Sequence, residues 1–261
     1  MKVRLHWERG GDPRGSRVLF INGTGGDLRA EPSVFTWPIA DGFDLLAYDQ
    51  RGLGRSDKPD VDYTMADYAR DAVDLLDEVG WDRCAVLGIS FGGMVAQELA
   101  LVAPDRVERL VLCCTSSGGG GGASFPLQEL EGLDADERAA RALQLSDESF
   151  DAEWQAAHPQ IVELYRSRTQ HGADDPDKAM GARRQLEARA GHDTYDRLPA
   201  LTMPTLVCAG RRDGIAPLSN SEALAAQIPG AELEVYEGGH LFLMQDAAAW
   251  PRITAFLRGE T

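Results

Sequence analysis

Apolar positions along this chain follow two rhythms. Arg17-Val18-Leu19-Phe20-Ile21, Leu45-Leu46-Ala47-Tyr48, Cys84-Ala85-Val86-Leu87, Leu110 to Thr115 and Thr205-Leu206-Val207-Cys208-Ala209 are short, nearly continuous apolar runs. Such runs suit strands covered on both faces. Val3 to Trp7 alternates apolar and polar residues, as a half-buried edge strand does, and Glu232 to Tyr236 supplies a last strand. Between these lie segments of helical spacing. Met65, Tyr68, Ala69, Ala72, Val73, Leu76 and Val79 form one stripe, with Asp71, Asp74 and Asp77 outside it and Thr64 and Asp67 placed as a capping box. Met94 to Ala103, Pro217 to Ile228 and Ala247 to Leu257 read as further helices. Strands alternating with helices predict a mainly parallel sheet with helices on both faces.

The alternation breaks after Thr115 and resumes only at Thr205. Between them Asp134 to Leu145, Phe150 to Ala157, Gln160 to Arg168 and Asp177 to Ala190 all carry helical periodicity, and no strand is evident. The expected organisation is a core over residues 1–115, an inserted helical cap over 116–199, and the rest of the core over 200–261. Gly118 to Gly122 opens the insertion as a hinge or entrance strip, or as a plain linker.

Composition narrows the partners. The 42 acidic and 26 basic residues leave a net charge of -16, a field that repels phosphate backbones and anionic lipid. Nucleic acid and membrane are therefore not expected partners, and no run of apolar residues is long enough to span a bilayer. The N-terminus lacks an apolar leader, and Cys84, Cys113, Cys114 and Cys208 sit in apolar runs without metal-ligand spacing. These features predict a cytoplasmic protein with buried thiols and no metal.

The chemistry gathers at strand ends. Gly88-Ile89-Ser90-Phe91-Gly92 lies between a strand-like and a helix-like run, which places Ser90 on a sharp turn with its hydroxyl exposed. A serine needs a base, and the base needs a group to orient it. Asp213, in Gly210-Arg211-Arg212-Asp213-Gly214, and His240, in Glu237-Gly238-Gly239-His240, each follow a predicted strand and can fill those roles. His6 lies at the N-terminus, whereas His158, His171 and His192 fall in the insertion, so His240 is the histidine positioned for the task. The strand ending at Thr115 is followed by Ser116-Ser117 and offers no alternative carboxylate. Two amides suit an oxyanion hole: that of Phe91, which opens a helix, and that of Thr24 in Asn22-Gly23-Thr24-Gly25-Gly26. The glycine clusters match neither a dinucleotide fingerprint nor a phosphate loop, so no cofactor is expected.

Asn22-Gly23-Thr24-Gly25-Gly26, Asp49-Gln50-Arg51-Gly52-Leu53-Gly54-Arg55-Ser56, Gly88-Ile89-Ser90-Phe91-Gly92-Gly93, Gly210-Arg211-Arg212-Asp213 and Gly238-Gly239-His240 together resemble the α/β-hydrolase superfamily. The resemblance implies the α/β-hydrolase fold, with a mostly parallel eight-stranded sheet and an inserted helical cap. It further implies Ser90 as nucleophile, His240 as general base, Asp213 as its orienting acid, and the Thr24 and Phe91 amides as the oxyanion hole. Asn22 stands where many relatives have histidine, which puts the bracing of that loop in question. Among serine-dependent branches the chain is most similar to small capped esterases and 3-oxoadipate enol-lactonases.

The expected activity is cleavage of a small carboxylic ester or lactone through an acyl-enzyme. Thioester or carbon-carbon cleavage by the same triad, or a ligand sensor on this fold, are the alternatives. Trp154, Arg183 and Arg184 are the substrate-binding candidates from the cap. Arg166, Arg168 and Arg189 could also clamp a carboxylate, and Phe150 and Tyr165 could line a pocket.

Overall fold

The computed structural model describes residues 2–170 and 176–260. Seven strands form one sheet: β1 (His6–Gly11), β2 (Ser16–Ile21), β3 (Phe43–Asp49), β4 (Cys84–Ile89), β5 (Val107–Cys113), β6 (Thr205–Gly210) and β7 (Glu232–Tyr236). Their spatial order is β1-β3-β2-β4-β5-β6-β7, and only β1 runs antiparallel. The helices are α1 (Met65–Glu78), α2 (Phe91–Val102), α3 (Ala135–Ser146), α4 (Ala152–Ala157), α5 (Pro159–Gln170), α6 (Pro176–Ala190), α7 (Leu218–Gln227), α8 (Phe242–Gln245) and α9 (Ala249–Arg258).

The continuous apolar runs became the buried inner strands. Leu19 and Ile21 pack with α1 and α2 on one face of the sheet, while Val18 and Phe20 pack with α9 on the other. Alternate residues of a strand point to opposite faces, so a strand between two helical layers must be apolar throughout. The capping box of α1 forms: Asp67 N–H donates to Thr64 Oγ1 at 3.2 Å and Thr64 N–H to Asp67 Oδ2 at 3.0 Å. Among the described residues, the stretch between β5 and β6 contains helices and turns but no strand.

Two expectations need correction. The sheet has seven strands among the described residues, where the resemblance implied eight. The edge strand also begins at His6, not Val3, because β3 ends at Asp49, its register partner. The chain before His6 therefore bonds elsewhere: Arg4 N–H donates to Asp57 Oδ2 at 2.9 Å, and Asp57 N–H to the Arg4 carbonyl at 3.1 Å. Asp71, which lies outside the apolar stripe of α1, is nevertheless buried. Arg51 reaches it with both prongs of its guanidinium, at 2.6 and 2.7 Å, beside the rings of Tyr63 and Tyr68.

Gly118 to Gly122 is a packed turn. A Cβ on Gly118 would collide with the His192 carbonyl, and Gly120 and Gly121 lie against the Tyr195 ring. His192 is buried, and burial pushes its ring down to about 4, against the opposing pull of Glu98. The unfolded chain, with an ordinary imidazole near 6.5, binds more protons than the native state between these values. Stability is therefore expected to be level above about pH 6.5 and to fall by about 3 kcal/mol toward pH 4. Urea unfolding across that range would measure it. His192→Phe should flatten the slope; an equal slope in both proteins would assign it to other groups.

Candidate active site

The parallel strands deliver the predicted residues to one rim of the sheet. Asn22 to Gly26 follows β2, Ser90 follows β4, Asp213 follows β6 and His240 follows β7. From β2 the chain turns toward β3 on one side, and from β4 toward β5 on the other. The crevice between β2 and β4 is thus the switch point where open α/β sheets bind ligands.

Ser90 occupies a conformation few side chains accept, with φ 54° and ψ -117°. The neighbouring glycines explain how it is held. A Cβ on Gly88 would strike the Gly92 carbonyl, and one on Gly92 would strike the Ile21 carbonyl. Backbone packing this close is what bends the strand into the helix so sharply. Ser90 N–H donates to the Cys113 carbonyl at 2.8 Å and Thr115 Oγ1 to the Ser90 carbonyl at 2.7 Å, so the turn is fixed at both ends.

His240 Nδ1 lies 2.8 Å from Asp213 Oδ2. A carboxylate can only accept, so Nδ1 carries the proton and Nε2 is left as a base. Asp213 is itself pinned, its Oδ1 accepting the amides of Ile215 and Ala216, each at 2.8 Å. Ser90 and His240 both line one cavity, with no direct hydrogen bond between them. Such bonds are often long in unliganded sites and tighten when substrate arrives. Cys114 lies behind the Asp213–His240 pair, with ligand atoms within 4.8 Å of theirs. Burial, with the nearby Asp213 charge, pushes its thiol well above the usual range. A thiol held protonated and a nitrogen already committed to Asp213 make this a packing contact and a poor metal site.

The cavity measures about 590 Å³ and is walled mainly by apolar groups, among them Trp37, Ile89, Leu127, Ile215, Leu243 and Trp250. No Asp, Glu, Lys or Arg side chain lines it among the described residues.

The loop after β2 is braced without the histidine common elsewhere. Asn22 Oδ1 accepts the Gly23 amide at 2.8 Å, and Gln50 Nε2 donates to the Asn22 carbonyl at 2.6 Å. Gln185, fully buried on α6, accepts the Gly25 amide at 2.8 Å through Oε1. The amides of Thr24 and Phe91 remain uncommitted.

Sequence reasoning missed Gln185, and also Asp147. The last turn of α3 grips the loops that carry Asp213 and His240: His240 N–H donates to the Ser146 carbonyl at 2.6 Å and Gly214 N–H to the Leu145 carbonyl at 3.0 Å. Asp147, buried, accepts from Arg212 Nε at 3.0 Å and Gln245 Nε2 at 2.9 Å, and Gln245 Oε1 in turn accepts the Gly239 amide at 2.9 Å. Removing one oxyanion donor costs about 10²- to 10³-fold in rate, and loosening its support should cost less. Gln185→Ala is therefore expected to lower kcat about tenfold with little change in KM. Steady-state kinetics on an activated ester checks this; an unchanged kcat would show that the loop holds itself.

The substrate candidates from the insertion lie elsewhere. Trp154 stacks between Phe150 and His158, with ring centroids 4.0 and 4.1 Å away. Arg184 pairs with Asp62 at 2.6 Å and Glu187 at 3.0 Å; Arg183 is largely exposed beside Glu187. None of the three lines the cavity of Ser90 and His240. Arg166 pairs with Asp136 at 2.9 Å, and Tyr165 Oη donates to Ser146 Oγ at 3.2 Å. The Arg168 side chain and His171 lie outside the described residues. No described helix is long and apolar enough to cross a membrane.

Comparison with known proteins places this geometry. The sequence pattern of the family described as alpha/beta hydrolase fold matches residues 17–247. A Variovorax paradoxus (strain S110) protein, provisionally named carbamate hydrolase RutD, is 33% identical over 258 residues, covering 95% of this chain and 93% of its own length. The structure of Est816, described as an N-acyl homoserine lactone degrading enzyme, superposes with TM-score 0.75 at 26% identity, covering 99% of this chain and 97% of that one. The enol-lactonase from Burkholderia xenovorans LB400 shares the fold with TM-score 0.79 at 24% identity, covering 99% and 97%.

Proposed function

Because the chain belongs to the alpha/beta hydrolase fold family, we propose that it is a serine hydrolase cleaving a small, uncharged carboxylic ester or lactone through an acyl-enzyme. The observation that carries this reading is the 2.8 Å contact between His240 and Asp213, beside a strained Ser90 on the same cavity. Ser90 Oγ attacks the carbonyl carbon while His240 Nε2 takes its proton. The developing oxyanion is held by the Thr24 and Phe91 amides. His240 then returns the proton to the leaving oxygen, which departs as an alcohol or, from a lactone, stays tethered to the acyl group. Water, deprotonated by the same nitrogen, releases the acid and restores Ser90.

Asp213 stabilises the imidazolium in both halves of the cycle and keeps Nε2 turned to the cavity. The inserted helices, residues 116–199, act as a cap over the site, and the α3 turn and Gln185 are their points of purchase on it. The uncharged substrate follows from the wall: a carboxylate entering an apolar cavity without a cation would lose its hydration uncompensated. The carbamate name of one relative supports a second reading, hydrolysis of an uncharged carbamate by the same residues.

A panel of nitrophenyl esters, γ- and δ-lactones, carbamates, acyl-CoAs and dienoate diketones tests the reading through kcat/KM. Neutral esters or lactones should exceed matched anionic substrates at least about tenfold, a difference of about 1.4 kcal/mol in transition-state binding. A preference for anionic substrates would overturn the proposed substrate class.

A further inference from the structure

A second cavity, of about 210 Å³, lies across the strip Pro126-Leu127-Gln128 from the catalytic one; Leu127 faces the catalytic cavity, while Pro126 and Gln128 face the second. Its wall includes Met94, Ser116, Ser124, Gln128, Arg189 and His192. Arg189 is only 6% exposed, and one of its guanidinium nitrogens, Nη1, donates to the Phe125 carbonyl at 2.8 Å. Its Nε and Nη2 are buried with no partner among the described residues. Burial pulls this guanidinium down to about 10, which leaves it charged at neutral pH. His192, neutral there, offers no second charge, and the nearby Arg197 is already matched to Glu98. The cavity thus carries one uncompensated positive charge, an arrangement that strongly favours a counter-ion.

The shape of the vacant edge says which kind. Nε and Nη2 form the side-on fork of a guanidinium, the edge whose two parallel N–H bonds match the two oxygens of a carboxylate. The Ser116 and Ser124 hydroxyls, 2.9 Å apart on the same wall, can turn toward a bound oxygen. We infer that this cavity is a binding site for a small carboxylate monoanion, seated on the Nε–Nη2 edge of Arg189 and separate from the catalytic cavity. Two sources share that chemistry: a free carboxylic acid, such as a product of ester cleavage, or an acidic tail on a larger molecule.

Thermal unfolding of the whole protein at fixed ionic strength, with sodium acetate, propionate or butyrate against sodium chloride, tests this without reference to activity. At about tenfold the dissociation constant, a carboxylate should raise Tm by about 3 °C or more over chloride. Arg189→Met should abolish the difference, with circular dichroism confirming the fold, and Ser124→Leu, which fills the cavity and keeps the charge, should abolish it too. No carboxylate effect in the unaltered protein, or a full effect surviving both substitutions, would overturn the inference. KM values separate the sources. If Arg189→Met raises KM for an acid-tailed ester at least about tenfold but not for its neutral counterpart, the tail is the ligand. If both KM values hold while the thermal response is lost, the ligand is a free acid. The thermal measurement stands independently of the proposed reaction, because binding is read in a protein that need not turn over; only the KM comparison rests on that reading.

Discussion

Ser90→Ala is expected to lower kcat by about 10⁴-fold or more, while leaving KM and the unfolding midpoint close to their starting values. The loss follows from chemistry: without Oγ there is no acyl-enzyme, and His240 can only assist a water that nothing positions. The unchanged stability follows from the backbone. Alanine has the same Cβ as serine, so the φ of 54° is no more costly than before, and the fixing bonds to Cys113 and Thr115 use main-chain atoms of residue 90. Burst kinetics with a nitrophenyl ester should show a stoichiometric first turnover in the unaltered protein and none in the variant. Full turnover by Ser90→Ala would remove the serine from the mechanism and the ester reading with it.

Asp71→Ala is expected to destabilise the protein by about 3–5 kcal/mol, the range for breaking one side of a buried ion pair. Arg51 and Asp71 are each 3% exposed and bonded through both guanidinium prongs, so removing the carboxylate leaves a buried cation beside two tyrosine rings with Asp67, 3.7 Å away, as its remaining ion-pair contact. Replacing both partners, Arg51→Met with Asp71→Leu, should recover most of the loss, because no charge is then left buried. Urea denaturation of the two variants distinguishes this from simple loss of packing, under which the double replacement would be the worse of the two. The pair also has reach: Gly52, next to Arg51, packs so closely on Gly181 of α6 that a Cβ at 181 would strike the Gly52 carbonyl. Destabilising Arg51 should therefore loosen an inserted helix as well as the core.

What the sequence disclosed was what local pattern and chemical necessity determine. Buried strands between helical layers must be apolar throughout, so β2 to β6 stand out as uninterrupted runs. A nucleophile elbow demands glycines where backbones touch, and Gly88 and Gly92 are visible for that reason. Ser90, Asp213 and His240 follow strands in an order that parallel topology brings to one rim. The contacts that stayed hidden join residues far apart with no periodic signature. Gln185 and Gly25 are 160 positions apart, and a buried glutamine on a helix reads like any polar helix residue. Asp71 fell outside the apolar stripe because periodicity weighs each residue alone, whereas its burial depends on Arg51, 20 positions earlier. Arg183, Arg184 and Trp154 were plausible as substrate contacts because residue type is visible and orientation is not.

The grip of the last α3 turn on the loops of Asp213 and His240 bears on how this scaffold can be re-engineered. Ser146 and Asp147 press so closely on Gly239 that any larger residue there would collide with them. Grafting a foreign lid onto this body would succeed only if the segment from Leu143 to Glu148 stayed with its native acid and histidine loops. A splice placed at the outer boundary of the insertion would discard the clasp and leave the imidazole unregistered. Modular swapping should therefore begin beyond residue 148 and end before Gln185.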